Sequence, residues 1–204
     1  MKKHLYLFTT LLMTAFAFTA CSSDDNDSGT PPAPSQTIAS GDLEMPMPKG
    51  GKSIIISHSA KLNDKSGFTG LNYRVEWDTD KRSQRWSCYK MFNSVNANNV
   101  QRDSADNNGS MAPDCQYPND PDMPAEFRFN VDPYKYSGYD HGHIFPSADR
   151  LSSKESNYQT FFLTNMQPQT NDFNAKIWAH MEAQVRVWAA KFDTLYVCKG
   201  GTID

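Results

Sequence analysis

Two histidines two residues apart, His141 and His143 in Tyr139-Asp140-His141-Gly142-His143-Ile144, are the first side chains whose types and spacing could do chemistry. On extended backbone, residues i and i+2 point to one side, and a glycine between them admits a close neighbour. Imidazole titrates near neutral pH, so the pair offers either a general base or two metal ligands. A polar turn with a solvated histidine fits the same spacing. Asn165 ends an apolar run, where turn formation accounts for it as well as any site does. Asn174 falls in the first turn of a helical pattern, where capping is the ordinary role, although an amide oxygen is also a hard ligand for Mg²⁺ or Ca²⁺. Glu182 and Arg186 stand four apart, as surface ion pairs on helices do. Helix geometry puts Glu182 about 80° around and about 12 Å along from Asn174, on one broad polar flank.

The elements that must position these residues are legible from periodicity. Asn171 to Phe192 predicts a helix, with Ile177, Met181, Val185, Trp188 and Phe192 as one apolar stripe toward the core and Asn171 or Asp172 as its cap. Ile54-Ile55-Ile56 predicts a strand. Tyr73 to Trp77 alternates at period two, Asp78 to Lys81 supplies turn chemistry, and Trp86 to Phe92 follows, which predicts a β-hairpin. Thr160 to Asn165 reads as a second buried strand and Thr194 to Cys198 as a last one. Residues 93–125, rich in Asn, Asp, Pro and Gly, predict a long loop, and long loops in small domains are often functional. The fold class expected is α+β: a mainly antiparallel sheet with a long helix packed on it.

The chain has 204 residues, 38% hydrophobic and 21% charged, with a net charge of −3. That composition excludes a disordered chain, a collagen and a polytopic membrane protein. It also lacks the bulk basic charge typical of nucleic-acid binders, so an anionic substrate would need a local cationic cluster or a metal ion. Residues 1–20 read as an export signal: Lys2 and Lys3, a short apolar stretch, then Phe18-Thr19-Ala20-Cys21, similar to a bacterial lipobox with Cys21 as the lipidated residue. Several acyl chains on one cysteine would give stable anchoring. Residues 21–40 are Ser-, Asp- and Pro-rich and read as a tether, with Ser22-Ser23-Asp24-Asp25 similar to surface-export signals of Bacteroidetes lipoproteins. The folded domain is then expected over 41–204, at the cell envelope as an outer-membrane lipoprotein exposed at the surface. Cys88, Cys115 and Cys198 allow one disulfide outside the cytoplasm, and their spacing does not choose the pair.

The joint order carries more than any single residue. Tyr139-Asp140-His141-Gly142-His143-Ile144 with Pro146-Ser147-Ala148-Asp149-Arg150, then Thr164-Asn165-Met166, Pro168-Gln169, Asn174, Trp178, Glu182 and Arg186, resembles the D-R-G-H pattern of the DNA/RNA non-specific endonucleases. These are ββα-metal nucleases of the Serratia nuclease and endonuclease G type. The resemblance implies a ββα-metal site that hydrolyses DNA and RNA with Mg²⁺, or Mn²⁺ as a substitute. It implies His143 as general base, Asn174 as the single protein ligand of the metal and Glu182 as the acid that orients metal-bound water. It also implies Asn165 as an amide holding the catalytic site, and Arg186 as a phosphate contact. His141 stands where the family has Arg, a permanent planar cation, and is expected to replace it in part as a hydrogen-bond donor to substrate. Family members continue well past a strand such as Leu195 to Gly201, so the C-terminal part is expected to be missing. Two other readings stay open: a weak or inactive surface lipoprotein that binds nucleic acid or another partner, and a metal hydrolase using His141 and His143 with Asp140 or Asp149.

Overall fold

The computed structural model describes residues 45–104, 111 and 115–203. The export signal, the lipidation site Cys21 and the tether lie outside the described residues. Among the described residues six strands are formed: β1 (Ser53–Lys61), β2 (Thr69–Asp78), β3 (Ser83–Phe92), β4 (Asp140–His143), β5 (Met166–Gln169) and β6 (Thr194–Gly200). The four longer ones make an antiparallel sheet in the order β1-β2-β3-β6, and β4 pairs antiparallel with β5. The β2–β3 hairpin closes where expected, because the Asp78 carboxylate accepts the backbone N–H groups of Asp80 and Lys81 at 3.0 and 2.9 Å and also pairs with Arg85. This is the local turn bonding that short acidic side chains favour.

Alternation sorts the sheet into two faces. Ile56, Tyr73, Val75, Trp77, Tyr89, Met91 and Val197 form the inner face and the main core. Val185 and Ala189 of the long helix, Phe145 after β4 and Met123 of the long loop close that core. Each large side chain buried there contributes on the order of 2 kcal/mol. The fold class is therefore α+β, as the periodicity predicts.

Two local expectations are corrected. Thr160 to Asn165 is not a strand: the chain leaves the short helix α1 (Lys154–Gln159) and turns through Leu163–Asn165 before β5 begins at Met166. Phe161, Phe162 and Leu163 are all buried, and burial from every side produces an apolar run whether the backbone is extended or turning. The second correction concerns the long helix. Its regular part, α2 (Ala179–Ala189), is preceded by one π-helical stretch, Phe173–Trp178. The buried side runs through Trp178, Glu182, Val185 and Ala189, while Ile177, Trp188 and Phe192 are 67, 47 and 60% exposed. The sheet core closes on Val185 and Ala189, so the covered flank of the regular helix is turned from the predicted stripe, and Phe192 falls beyond the helix end at Ala189. The cap also differs, since Thr170 Oγ1 accepts from Phe173 N at 3.4 Å and the Asn171 amide reaches Asp140 instead.

Candidate active site

The β4–β5 ladder and the start of the long helix together frame a cavity of about 460 Å³. His141, His143, Asn174 and Glu182 line it, joined by Arg102 and Tyr117 from the long loop. Four of the six residues that the sequence singles out are thus brought together, and Asn165 and Arg186 are not among them.

Gly142 makes the two-histidine strand possible. It pairs with Gln167 of β5, and a Cβ at that position would lie 2.6 Å from the Gln167 carbonyl oxygen and closer still to the Gln169 side chain. The neighbour that the glycine admits is therefore the partner strand, and the two imidazoles leave the ladder toward the cavity. Asn165 holds the next residues. Its Nδ2 donates to the Phe145 and Thr160 carbonyls, both at 2.8 Å. Its Oδ1 accepts from Phe145 N at 2.9 Å and Ser87 Oγ at 3.1 Å. With its amide fully engaged and fully buried, Asn165 pins the segment following His143 to the sheet and lies away from the cavity lining.

His143 is 8% exposed, and its Nδ1 donates to the His141 carbonyl at 3.2 Å. That bond places the hydrogen on Nδ1 and leaves Nε2 as an acceptor lone pair with no protein partner. Burial, and after it the Arg102 guanidinium, pushes its pKa down to about 3, so the ring is neutral at physiological pH. Phe161 meets the imidazole edge-on at 5.0 Å, and Trp178 Nε1 donates to the His143 carbonyl at 2.9 Å. The ring is thus held in one tautomer and one orientation.

Asn174 lies in the π-helical stretch, the kind of irregularity that re-aims a side chain at functional sites. Its Nδ2 donates to Asp140 Oδ2 at 3.0 Å, as does that of Asn171. Asp140 therefore fixes the amide so that Oδ1 is the atom offered to the cavity. With the Glu182 carboxylate on the same cavity wall, this donor set of hard oxygens suits Mg²⁺ held mainly by water and substrate. Burial pushes the Glu182 pKa above its ordinary value, and the Lys199 ammonium, 3.9 Å away, works against that rise. Lys199 is itself pushed down by burial to about 8.

Two expected contacts resolve differently. Arg186 does not pair with Glu182 four residues before it. Its Nη1 donates to the buried Asp149 carboxylate at 2.9 Å, and Tyr89 donates to the other oxygen at 2.7 Å. Arg186 and Asp149 consequently face a different cavity, and Asp149 is no partner for His141 and His143 around a metal. His141 turns its Nε2 into Asp132, at 3.0 and 2.8 Å from the two oxygens, and its ring stacks on Tyr117 at 3.6 Å and 4°. A carboxylate only accepts, so Nε2 is the donor and Nδ1 is the ring atom left for other partners.

Sequence reasoning missed Arg102, Asp132, Tyr117 and Lys199. Arg102 hydrogen-bonds Tyr117 and packs over Phe161 at 4.7 Å, bringing a guanidinium to the cavity wall where position 141 lacks one. Its only sequence trace is its place inside an unusually long polar loop. Among the described residues, one His/Asp cluster could also hold a metal. His58, Asp120 and Asp122 offer ligand atoms within 4.8 Å of one another, and none of the three lines the cavity. Nε2 of His58 faces Asp120 at 3.0 Å and Nδ1 faces Asp122 at 3.3 Å, so the ring bridges two carboxylates.

Comparison with known proteins points one way. Residues 52–204 match the family model for DNA/RNA non-specific endonuclease. The chain is 32% identical over 129 residues to a nuclease of Nostoc sp., covering 63% of this chain and 43% of that protein. It is 31% identical over 169 residues to the mitochondrial nuclease of Saccharomyces cerevisiae, covering 78 and 50%. Nuclease C1 of Cunninghamella echinulata is 38% identical over 86 residues, covering 42 and 34%. A crystal structure of an EndoG/EndoGI complex matches with a TM-score of 0.52 and 27% identity, over 62% of this chain and 49% of that one. The matched segments span half or less of each of these relatives.

Proposed function

The chain belongs to the DNA/RNA non-specific endonuclease family, and from that premise we propose that it hydrolyses phosphodiester bonds of DNA and RNA without sequence preference, with His143 as general base. The observation that carries the reading is the buried His143 imidazole, held neutral with Nδ1 tied to a carbonyl and Nε2 unpartnered, on the wall it shares with Asn174 and Glu182. Nε2 takes a proton from water as the water oxygen forms its bond to phosphorus, and the opposite P–O bond breaks with its electron pair left on the leaving oxygen, which takes a proton from solvent. The phosphodiester's own negative charge beside the ring raises its proton affinity, so the base strengthens when substrate arrives. Arg102 supplies a forked cation to the phosphate oxygens, and His141, held by Asp132, presents Nδ1 beside it. Asn174, with Glu182 orienting water, would hold Mg²⁺, which supplies positive charge to the phosphate and the leaving oxygen. Contacts of these types address phosphate rather than base edges, which supports cleavage of either nucleic acid.

The reading of residues 1–21 supports a place for the protein in the cell envelope, anchored through Cys21. Among the described residues no helix is long and apolar enough to cross a membrane.

The test is digestion of supercoiled plasmid and of RNA by the full chain with Mg²⁺ or with EDTA, beside His143→Ala. Mg²⁺-dependent loss of both substrates, reduced at least about 100-fold in the variant, supports the reading. Retention of nucleic acid without cleavage by a folded protein would replace it with the binding-only lipoprotein.

A further inference from the structure

The outer face of the sheet, opposite the catalytic cavity, carries a feature that the nuclease reading does not use. β3 and β6 pair in a register that sets Cys88 directly across from Cys198. Directly opposed residues of antiparallel strands have Cα atoms about 4.5–5.5 Å apart and side chains on the same face, which lies within the Cα separation a disulfide spans. From this juxtaposition we propose that Cys88 and Cys198 form a covalent modification site: an intrachain disulfide, made by exchange with a small-molecule disulfide, that fastens the edge strand β6 to β3.

The two thiols have unequal access, which sets the order of a two-step exchange. Cys198 is exposed on an edge strand, whereas Cys88 is 6% exposed. Cys198 is therefore the entry point. Arg74, in register with Cys88 on its other side, turns its guanidinium away to Ser57 Oγ and Met45 Sδ, which leaves the two cysteines facing each other. A hydrogen bond from Cys88 holds the Cys198 pKa below its ordinary value, which favours the attacking thiolate. The Cys198 thiolate attacks one sulfur of glutathione disulfide, forming a mixed disulfide and releasing one glutathione thiolate. The Cys88 thiolate then attacks Cys198 Sγ, breaks the mixed bond and releases the second. The cysteine pair gives up two electrons and two protons, and the glutathione disulfide becomes two thiols. Cys115, exposed on the long loop, has no place in this row.

The bond would enclose every residue from β3 to β6, including His141, His143, Asn174 and Glu182, and would fix the strand that delivers Lys199 to Glu182. Closing a loop of that length restricts the unfolded chain substantially. The experiment incubates the purified full chain with glutathione disulfide and then digests it without reduction, with peptide mass spectrometry and a melting curve in parallel. The expected result is a peptide joining Cys88 to Cys198 and a melting midpoint about 5 °C or more higher. Dithiothreitol should reverse the rise. The thermal control is Cys198→Ser, an exposed substitution that leaves the buried position intact, and it should show no shift. Linkage through Cys115 instead, or glutathione retained on Cys198 with Cys88 still open to alkylation after denaturation, would overturn the proposal.

Discussion

At the scale of single residues the site is governed by what each polar side chain is tied to. His143 works because its Nδ1 is occupied and its Nε2 is not, so His143→Gln should keep the fold and lose at least about 100-fold in kcat, measured on plasmid with Mg²⁺. Glu182 poses a sharper question, because burial raises its pKa while Lys199 opposes the rise. Removing the ammonium with Lys199→Met takes away the largest influence that opposes burial, ahead of Arg186 and Trp178, and raises the Glu182 pKa further. If the ionised carboxylate is the working form, the acid limb of kcat/KM against pH moves to higher pH in that variant. An unmoved acid limb would remove Glu182 from the ionisations that matter. Asp132 invites a milder change: Asp132→Asn keeps a partner for His141 but loses the obligate acceptor, and should weaken substrate binding more than kcat.

At the scale of elements, the β4–β5 ladder and the π-helical stretch do the positioning. Gly142→Ala would drive a methyl into the Gln167 carbonyl and the Gln169 side chain. β4 would have to part from β5, at a cost of about 1–3 kcal/mol or more, and activity should fall further than stability alone explains, because both histidines ride on that strand. Chemical denaturation alongside the cleavage assay separates the two effects. Asn165→Ala removes four hydrogen bonds in a buried place. At about 1 kcal/mol each, with a further penalty for partners left unsatisfied, a loss of about 3 kcal/mol or more is expected.

For the whole molecule, the buried neutral His143 makes stability depend on pH. Its pKa is about 3 in the folded protein and about 6.5 unfolded, so between these values the unfolded chain binds more protons and stability falls as pH falls. The slope from this one group is roughly 1.4 kcal/mol per pH unit. Glu182, whose folded pKa is raised, binds its proton first in the folded state and offsets part of that slope above the unfolded carboxylate pKa. Denaturation midpoints from pH 7 to 4 should therefore decline less steeply in His143→Ala than in the wild type. Equal slopes would mean that the folded imidazole titrates normally.

What the sequence determined by itself was whatever rests on neighbours along the chain. The hairpin followed from alternation and an Asp-rich turn, the helix from its period, and the pairing of His141 with His143 from a spacing of two. The order of His143, Asn165, Asn174 and Glu182 was enough to mark the family. The tertiary structure decided whatever depends on who arrives from elsewhere. Arg186 had an acidic neighbour four residues away and took Asp149 instead, because the fold brings a buried carboxylate to it. Arg102 and Lys199 lie more than a dozen residues along the chain from Tyr117 and Glu182, and Asp132 is nine from His141 across an irregular segment, so no helix or strand period could mark them. The helix stripe failed for a related reason. The sheet core closes on Val185 and Ala189, so the flank through Glu182, Val185 and Ala189 is the one covered, while Trp188 on the same regular helix stays exposed. The period predicts that a helix forms, and only packing settles which way it faces.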